Sequence, residues 1–462
     1  MKRPEGQMRP ISLVRFNALA GYCRLPETVV AYEELAWFEH ANERILGMIA
    51  QDRHDGEFAG IIYGRDQRER FRGIYVVPEF ETSVRRARLH LRHAMERLGM
   101  APDEAFHQGD EKKGSPLDFF TPRVPQKRLH PIFLDLLEKE TRSAARGIIK
   151  PMMKWYEDPD GNFVEQFQTT AFDARLWELY LFAMFRESGY MIDRRHAVPD
   201  FVCRGLLGDL AVEAVTVNPS PKPGPDLKSE QGMDEYLRDY LPIRLSSSLT
   251  SKLTKAYWEQ PHIAKMPFVF AIQDFSAPGA MLATRPALRR YLYGYEQGWT
   301  TDPEGRPHPI PERVSVHRWG GKQIPSDFFS LPNSENVSAV LFNSSGTISK
   351  FSRMGVVAGF GSSRVRMVRM GVAVPANPSA ANLRKFRLPV TEAGYSETWI
   401  EGLDVYHNPR AKHPLDPKML PEAAHYFCQP TGELRGIAPP WHPLFSVTDV
   451  SLIDRDDETE TI

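Results

Sequence analysis

The sequence predicts a mixed α/β fold, and three observations carry that prediction. Between residues 169 and 345 the patterns run helix, three strands, helix, strand. Ahead of them, strand-like runs separated by turn residues precede helical stretches, as in an α+β unit. The 462 residues, with 42% hydrophobic, 25% charged and 11% aromatic side chains, form an ordinary globular composition that excludes a collagen-like or wholly disordered chain. Such a length predicts two or three domains, placed at 1–168, 169–345 and 346–462.

In the first unit, RILGMIAQDR (44–53), EFAGIIYGRD (57–66) and FRGIYVV (71–77) are strand-like. The first two are joined by a turn at Asp55-Gly56, where glycine supplies the positive φ that a tight turn needs. A helix over 82–98 carries Arg85, Arg86, Arg88, Arg92 and Arg97, which form either a solvated face or a ridge for phosphates. A second helix spans 131–145, and EDPDGN (157–162) closes the unit as a turn.

The second unit opens with a helix over 173–188, ended by Gly189. Strands follow at 189–198, 199–204 and 209–218, the third apolar on both faces and therefore buried. After a polar insert rich in Pro and Lys come a helix (243–259), a strand (267–275), a helix (280–293) and a fifth strand (337–342). The acidic tail DRDDETETI (454–462) is expected to be disordered.

One charge stands out in LWELYLFAMF (176–185). The helical wheel leaves this segment no polar face and puts Glu178 among Leu181, Phe182 and Phe185. A lone buried carboxylate costs several kcal/mol unless it is paired, protonated or bound to metal. A salt bridge to Arg175 or Arg186 is one answer; a metal site is the other. If Gly205–Gly208 form a hairpin loop, Asp200 stands opposite Glu213 on one sheet face, with Cβ atoms about 5 Å apart. Directly opposed like charges are destabilising and call for a cation between them; oxygen ligands of this kind suit Mg²⁺ or Mn²⁺.

A helix bearing Glu, a strand opening with Pro-Asp and a strand carrying Val-Glu, in α-β-β-β-α-β order, resemble the PD-(D/E)XK superfamily, the restriction-endonuclease-like fold. The resemblance covers roughly 169–345. It implies an αβββαβ core; the strand and helix patterns place an N-terminal α+β domain before it and leave a C-terminal extension after it. It also implies metal-dependent phosphodiester hydrolysis, with Glu178, Asp200 and Glu213 around the ion. The family's lysine, two residues past the second acid, is replaced by Val215. In LSSSLTSKLTKAYWE (245–259), Lys252 lies about 20° from Leu245 on the rim of the apolar stripe, where it can snorkel into an adjoining site. Lys222, Lys228 and Lys255 are the alternatives.

Arg364 and Arg366 alternate with Val365 and Met367, so the two arginines are candidates to line a strand face and touch phosphates. The expected partner is nucleic acid, DNA ahead of RNA, with a second copy or a protein partner left open. The alternative function is an inactive module of the same fold that binds nucleic acid or protein. Net charge is −1, so a polyanion must be held by a local basic surface. With no apolar run long enough to span a bilayer, no apolar segment after the basic start and only Cys23, Cys203 and Cys428, the expectation is a cytoplasmic chain without a disulfide framework or membrane partner.

Overall fold

The computed structural model describes residues 7–110, 117–158, 161–375, 382–392 and 394–453. The chain begins with β1 (Arg9–Ile11), α1 (Leu13–Ala20) and α2 (Pro26–Ala31), then β2 (Tyr32–His40), β3 (Ile45–Asp52), β4 (Phe58–Arg65) and β5 (Phe71–Val76). These strands form an antiparallel sheet in sequential order, with Gly56 at φ +79° in the expected turn. Helix α3 (Val84–Gly99) buries Ala87, Leu91, Ala94 and Met95 against it. The approach is close enough that a Cβ at Gly47 would stand 2.4 Å from the Met95 sulfur.

Four helices follow: α4 (Pro131–Glu138), α5 (Ser143–Trp155), α6 (Phe163–Gln168) and α7 (Phe172–Glu187). After α7 come β6 (Met191–Asp193), β7 (Phe201–Arg204) and β8 (Leu210–Val217), then α8 (Glu230–Glu235), α9 (Leu241–Leu253) and β9 (Phe268–Asp274). Next are α10 (Thr284–Tyr293), the hairpins β10 (Tyr295–Thr301) with β11 (Pro307–Arg313) and β12 (Val316–Trp319) with β13 (Lys322–Pro325), and β14 (Ala339–Phe342). The remainder is α11 (Ile348–Val357), β15 (Val365–Ala373), β16 (Arg384–Pro389), β17 (Asp404–His407), β18 (Ala424–Cys428), β19 (Leu434–Ile437) and β20 (Pro443–Leu452).

Eight strands form the central sheet, in the order β19-β18-β17-β14-β9-β8-β7-β6. Strands β6, β7 and β8 make an antiparallel meander, while β8, β9 and β14 run parallel, joined through helices that cover the sheet. Side chains of β8 divide by parity: Leu210 and Val212 join the core under α5, α7 and α11, whereas Ala211, Val215 and Val217 join the core under α9 and α10. Burial on both faces is why β9 is apolar throughout apart from Gln273 and Asp274.

Three differences from the sequence expectations follow from the backbone and its pairings. Strand β6 keeps only three residues, because 194–200 leave the sheet before β7. Helix α9 stops at Leu253, well before the expected Glu259, because Ala256 turns left-handed at φ +48° and Tyr257–Glu259 form a separate 3₁₀ turn. Residues beyond 346 do not lie apart from the central unit: β17, β18 and β19 extend its sheet, and β14 has β17 as its antiparallel neighbour. Strands β16, β15 and β20 form a small sheet of their own. The core around α7 also draws Ile148 and Met152 from α5 and Phe351 and Met354 from α11. Helices α5 and α11 touch so closely that a Cβ at Gly355 would fall 2.2 Å from the Ala144 carbonyl oxygen. The acidic tail lies outside the described residues.

Candidate active site

The meander sets the first two acids. Pairing of Phe201 with Val212, Val202 with Ala211 and Cys203 with Leu210 places Asp200, one residue before β7, opposite Glu213 of β8. The two are laced together: the Asp200 backbone N–H donates to Glu213 Oε2 (3.2 Å), and the Ala214 N–H donates to Asp200 Oδ2 (2.8 Å). Glu213 is 3% exposed and points to the α9 side of the sheet. There Lys252, in the last turn of α9, donates from Nζ to Glu213 Oε1 at 2.5 Å. Lys222, Lys228 and Lys255, by contrast, are exposed. Val215, two residues past Glu213, is buried among apolar side chains.

Glu178 stands on α7, which covers the other face of the sheet, and is 7% exposed. Both its oxygens accept from Arg175 Nη1 at 2.8 Å, and Oε2 accepts from the Tyr156 hydroxyl at 3.0 Å. Arg175 is held in turn by Gln166 of α6. Arg186 instead donates to the Tyr22, Arg24 and Tyr190 carbonyls. The ion-pair answer for Glu178 is thus realised with Arg175, yet the charge of Asp200 also acts on it. Burial first, and then Asp200, push the Glu178 carboxyl up to about 7 against the pull of Arg175. Glu213 is likewise pushed up to about 7, by burial and then Asp200, against Lys252. On Lys252 burial is the largest influence and lowers it, but Glu213 first, with Asp200 and Tyr257, together hold it above its ordinary value.

Three further residues complete the surroundings, and nothing in the sequence marked any of them as part of the site. Tyr156 caps the C-terminus of α5. Arg194 stacks on Tyr156 (4.6 Å) and Phe201 (5.3 Å) and donates to the Asp200 carbonyl at 2.8 Å. Tyr257, delivered by the turn after Ala256, is pushed up to about 12 by burial and by Glu213.

The arginines expected to touch phosphates are engaged elsewhere. Arg364 pairs with Glu140 (3.0 Å) and donates to the Ile453 carbonyl, and the exposed Arg366 donates to the Ser363 and Val365 carbonyls. None of those partners belongs to the acid cluster. Among the described residues, no group of three or more His, Cys, Asp or Glu side chains is arranged to hold a metal ion, and no helix is long and apolar enough to cross a membrane. The structure is a mixed α/β assembly in which Asp200 adjoins Glu213 and its Lys252, and its charge also acts on the Glu178–Arg175 pair. No protein-family model, curated protein or solved structure matches the chain.

Proposed function

We propose that the chain is a metal-dependent nuclease whose core, α7-β6-β7-β8-α9-β9, is of the restriction-endonuclease-like kind. The observation that carries the proposal is Asp200 facing Glu213 across β7 and β8, with Lys252 on Glu213. Two adjoining carboxylates, with substrate phosphate and water filling the remaining positions, are a donor set that suits Mg²⁺ or Mn²⁺. Asp200 Oδ1 is the one oxygen of the three acids with no hydrogen-bond donor among the described residues, which suits an outward-facing ligand. When bound, the ion supplies Lewis-acid polarisation and a more acidic water. Asp200 and Glu213 would hold it. Lys252, kept charged by Glu213, is placed to orient the attacking water and offset charge developing on the phosphate. Glu178 would complete the outer part of the site while remaining bound to Arg175.

A second reading is favoured by that last contact. An acid already neutralised by arginine needs no metal, and a nuclease fold of this kind can serve as a binding module for nucleic acid or protein. Incubation of labelled duplex DNA, single-stranded DNA and RNA with millimolar Mg²⁺ or Mn²⁺ separates the two. The nuclease reading expects cleavage that EDTA, Asp200→Ala, Glu213→Ala and Lys252→Met each abolish, with Asp200→Ala also losing calorimetric metal binding. Absence of cleavage together with nucleic-acid binding indifferent to EDTA overturns it in favour of the module.

A further inference from the structure

Away from the acids, a cleft of about 770 Å³ opens between the N-terminal sheet and the C-terminal end of α7. Its size falls in the range of small-molecule sites. Tyr32, Trp37, Met48 and Ile61 supply apolar wall from the sheet. The charges on its lining are unequally satisfied. Each cation is committed: Arg24 to Glu34, Arg53 to Glu33, and Arg186 to three backbone carbonyls. Two carboxylates are not. Glu187 and Glu422, both exposed to solvent at the lining of the cleft, make no ion pair among the described residues. Lys350, the cation acting most on Glu187, is itself paired to Glu397 at 2.7 Å. Among the described residues Glu187 accepts from the backbone N–H of Trp399 (2.5 Å) and of its neighbour Ile400, and it feels the like charge of Glu422. Two buried polar atoms of the lining, Asn17 Oδ1 and Ser188 Oγ, have no hydrogen-bond partner either. An aromatic wall, surplus negative charge and unfilled acceptors describe one complementary chemistry: an apolar or aromatic body bearing a protonated amine.

We propose that this cleft binds a hydrophobic organic ammonium, with Glu187 and Glu422 facing the cation and the Trp37 side of the sheet covering its body. The test uses the full chain and three probes of matched shape: tryptamine, the neutral 3-ethylindole and the anionic indole-3-propionate, titrated by calorimetry. Tryptamine should bind about tenfold more tightly than 3-ethylindole, and the acid should bind more weakly still. The Glu187→Gln/Glu422→Gln double variant should lose that tenfold for tryptamine while 3-ethylindole is unchanged. Gly73 also lines the cleft, and a Cβ there would have only Tyr63 at 4.0 Å, so Gly73→Phe should fill the space and abolish binding of all three probes without loss of the folded circular dichroism spectrum. Equal affinity for the three probes, an unchanged amine preference in the double variant, or no tryptamine binding at millimolar concentration each overturns the proposal.

Discussion

Glu178 and Glu213 make the metal-free protein sensitive to pH in a direction opposite to that of most salt-bridged acids. Both carboxyls are raised from 4.5 to about 7 by folding. Stability from such a group is complete below the unfolded value and is lost as pH climbs through the folded one. Glu178→Gln removes one of the two titrations. Between pH 5.5 and 8.5 in EDTA, the stability difference between variant and wild type should therefore move in the variant's favour by on the order of 2 kcal/mol. Loss of the Arg175 pair shifts the whole curve but not its slope. A difference that stays constant with pH in urea melts would refute the shared field of Glu178 and Asp200. At this scale the acids were legible because a hairpin closed by Gly205 and Gly208 fixes which residues face each other. Lys252 was legible from its angle on the helix. Tyr156 and Arg194 were not, since single residues delivered by tertiary packing leave no periodic trace in the sequence.

Among the elements, α9 shows where pattern and structure part. The apolar stripe continues past Leu253 to Ala256 and Tyr257, so periodicity extends the helix, but the backbone reverses at Ala256, with φ +48° and ψ +43°. That reversal sends Tyr257 towards Glu213 instead of along the helix. A left-handed alanine is strained by its Cβ, by about 1 kcal/mol or more, and glycine would relieve the strain at some cost in unfolded-chain entropy. Ala256→Gly should stabilise the protein by about 0.5 kcal/mol, while the β-branched Ala256→Val should destabilise it by about 1 kcal/mol or more. Chemical denaturation of the two variants checks this; destabilisation by glycine would mean that the conformation is not strained. The strands were easier to read than this helix end. Continuous apolar runs in β8 and β9 reflect burial on both faces, whereas the three-residue β6 is too short for its pattern to define its ends.

For the whole molecule, the sequence suggested three consecutive units, and the packing joins what lies on either side of both boundaries. Glu178 takes a hydrogen bond from Tyr156, α7 is covered by α5 and α11, and β14 is paired with β17. A fragment of residues 169–345 would expose the edge of β14 and one apolar face of the sheet. It should show no cooperative thermal transition, whereas the full chain should. A sharp transition with a dispersed NMR spectrum from the fragment would instead establish an independent central domain. These long-range pairings escaped the sequence reading because DVYH (404–407) and AHYFC (424–428) are short, and nothing local says which strand they join.

The close crossing of α5 and α11 also has a meaning in time. The surface that Gly355 offers to Ala144 is made about 200 residues after α5, which at about 5–20 residues per second is roughly 10–40 s of synthesis. Through that interval Ile148, Ile149 and Met152 belong to a finished helix without the Phe351 and Met354 that complete its surroundings. Until α11 is made that apolar surface lacks its native cover, and incomplete chains ending before α11 should aggregate more readily than the full chain.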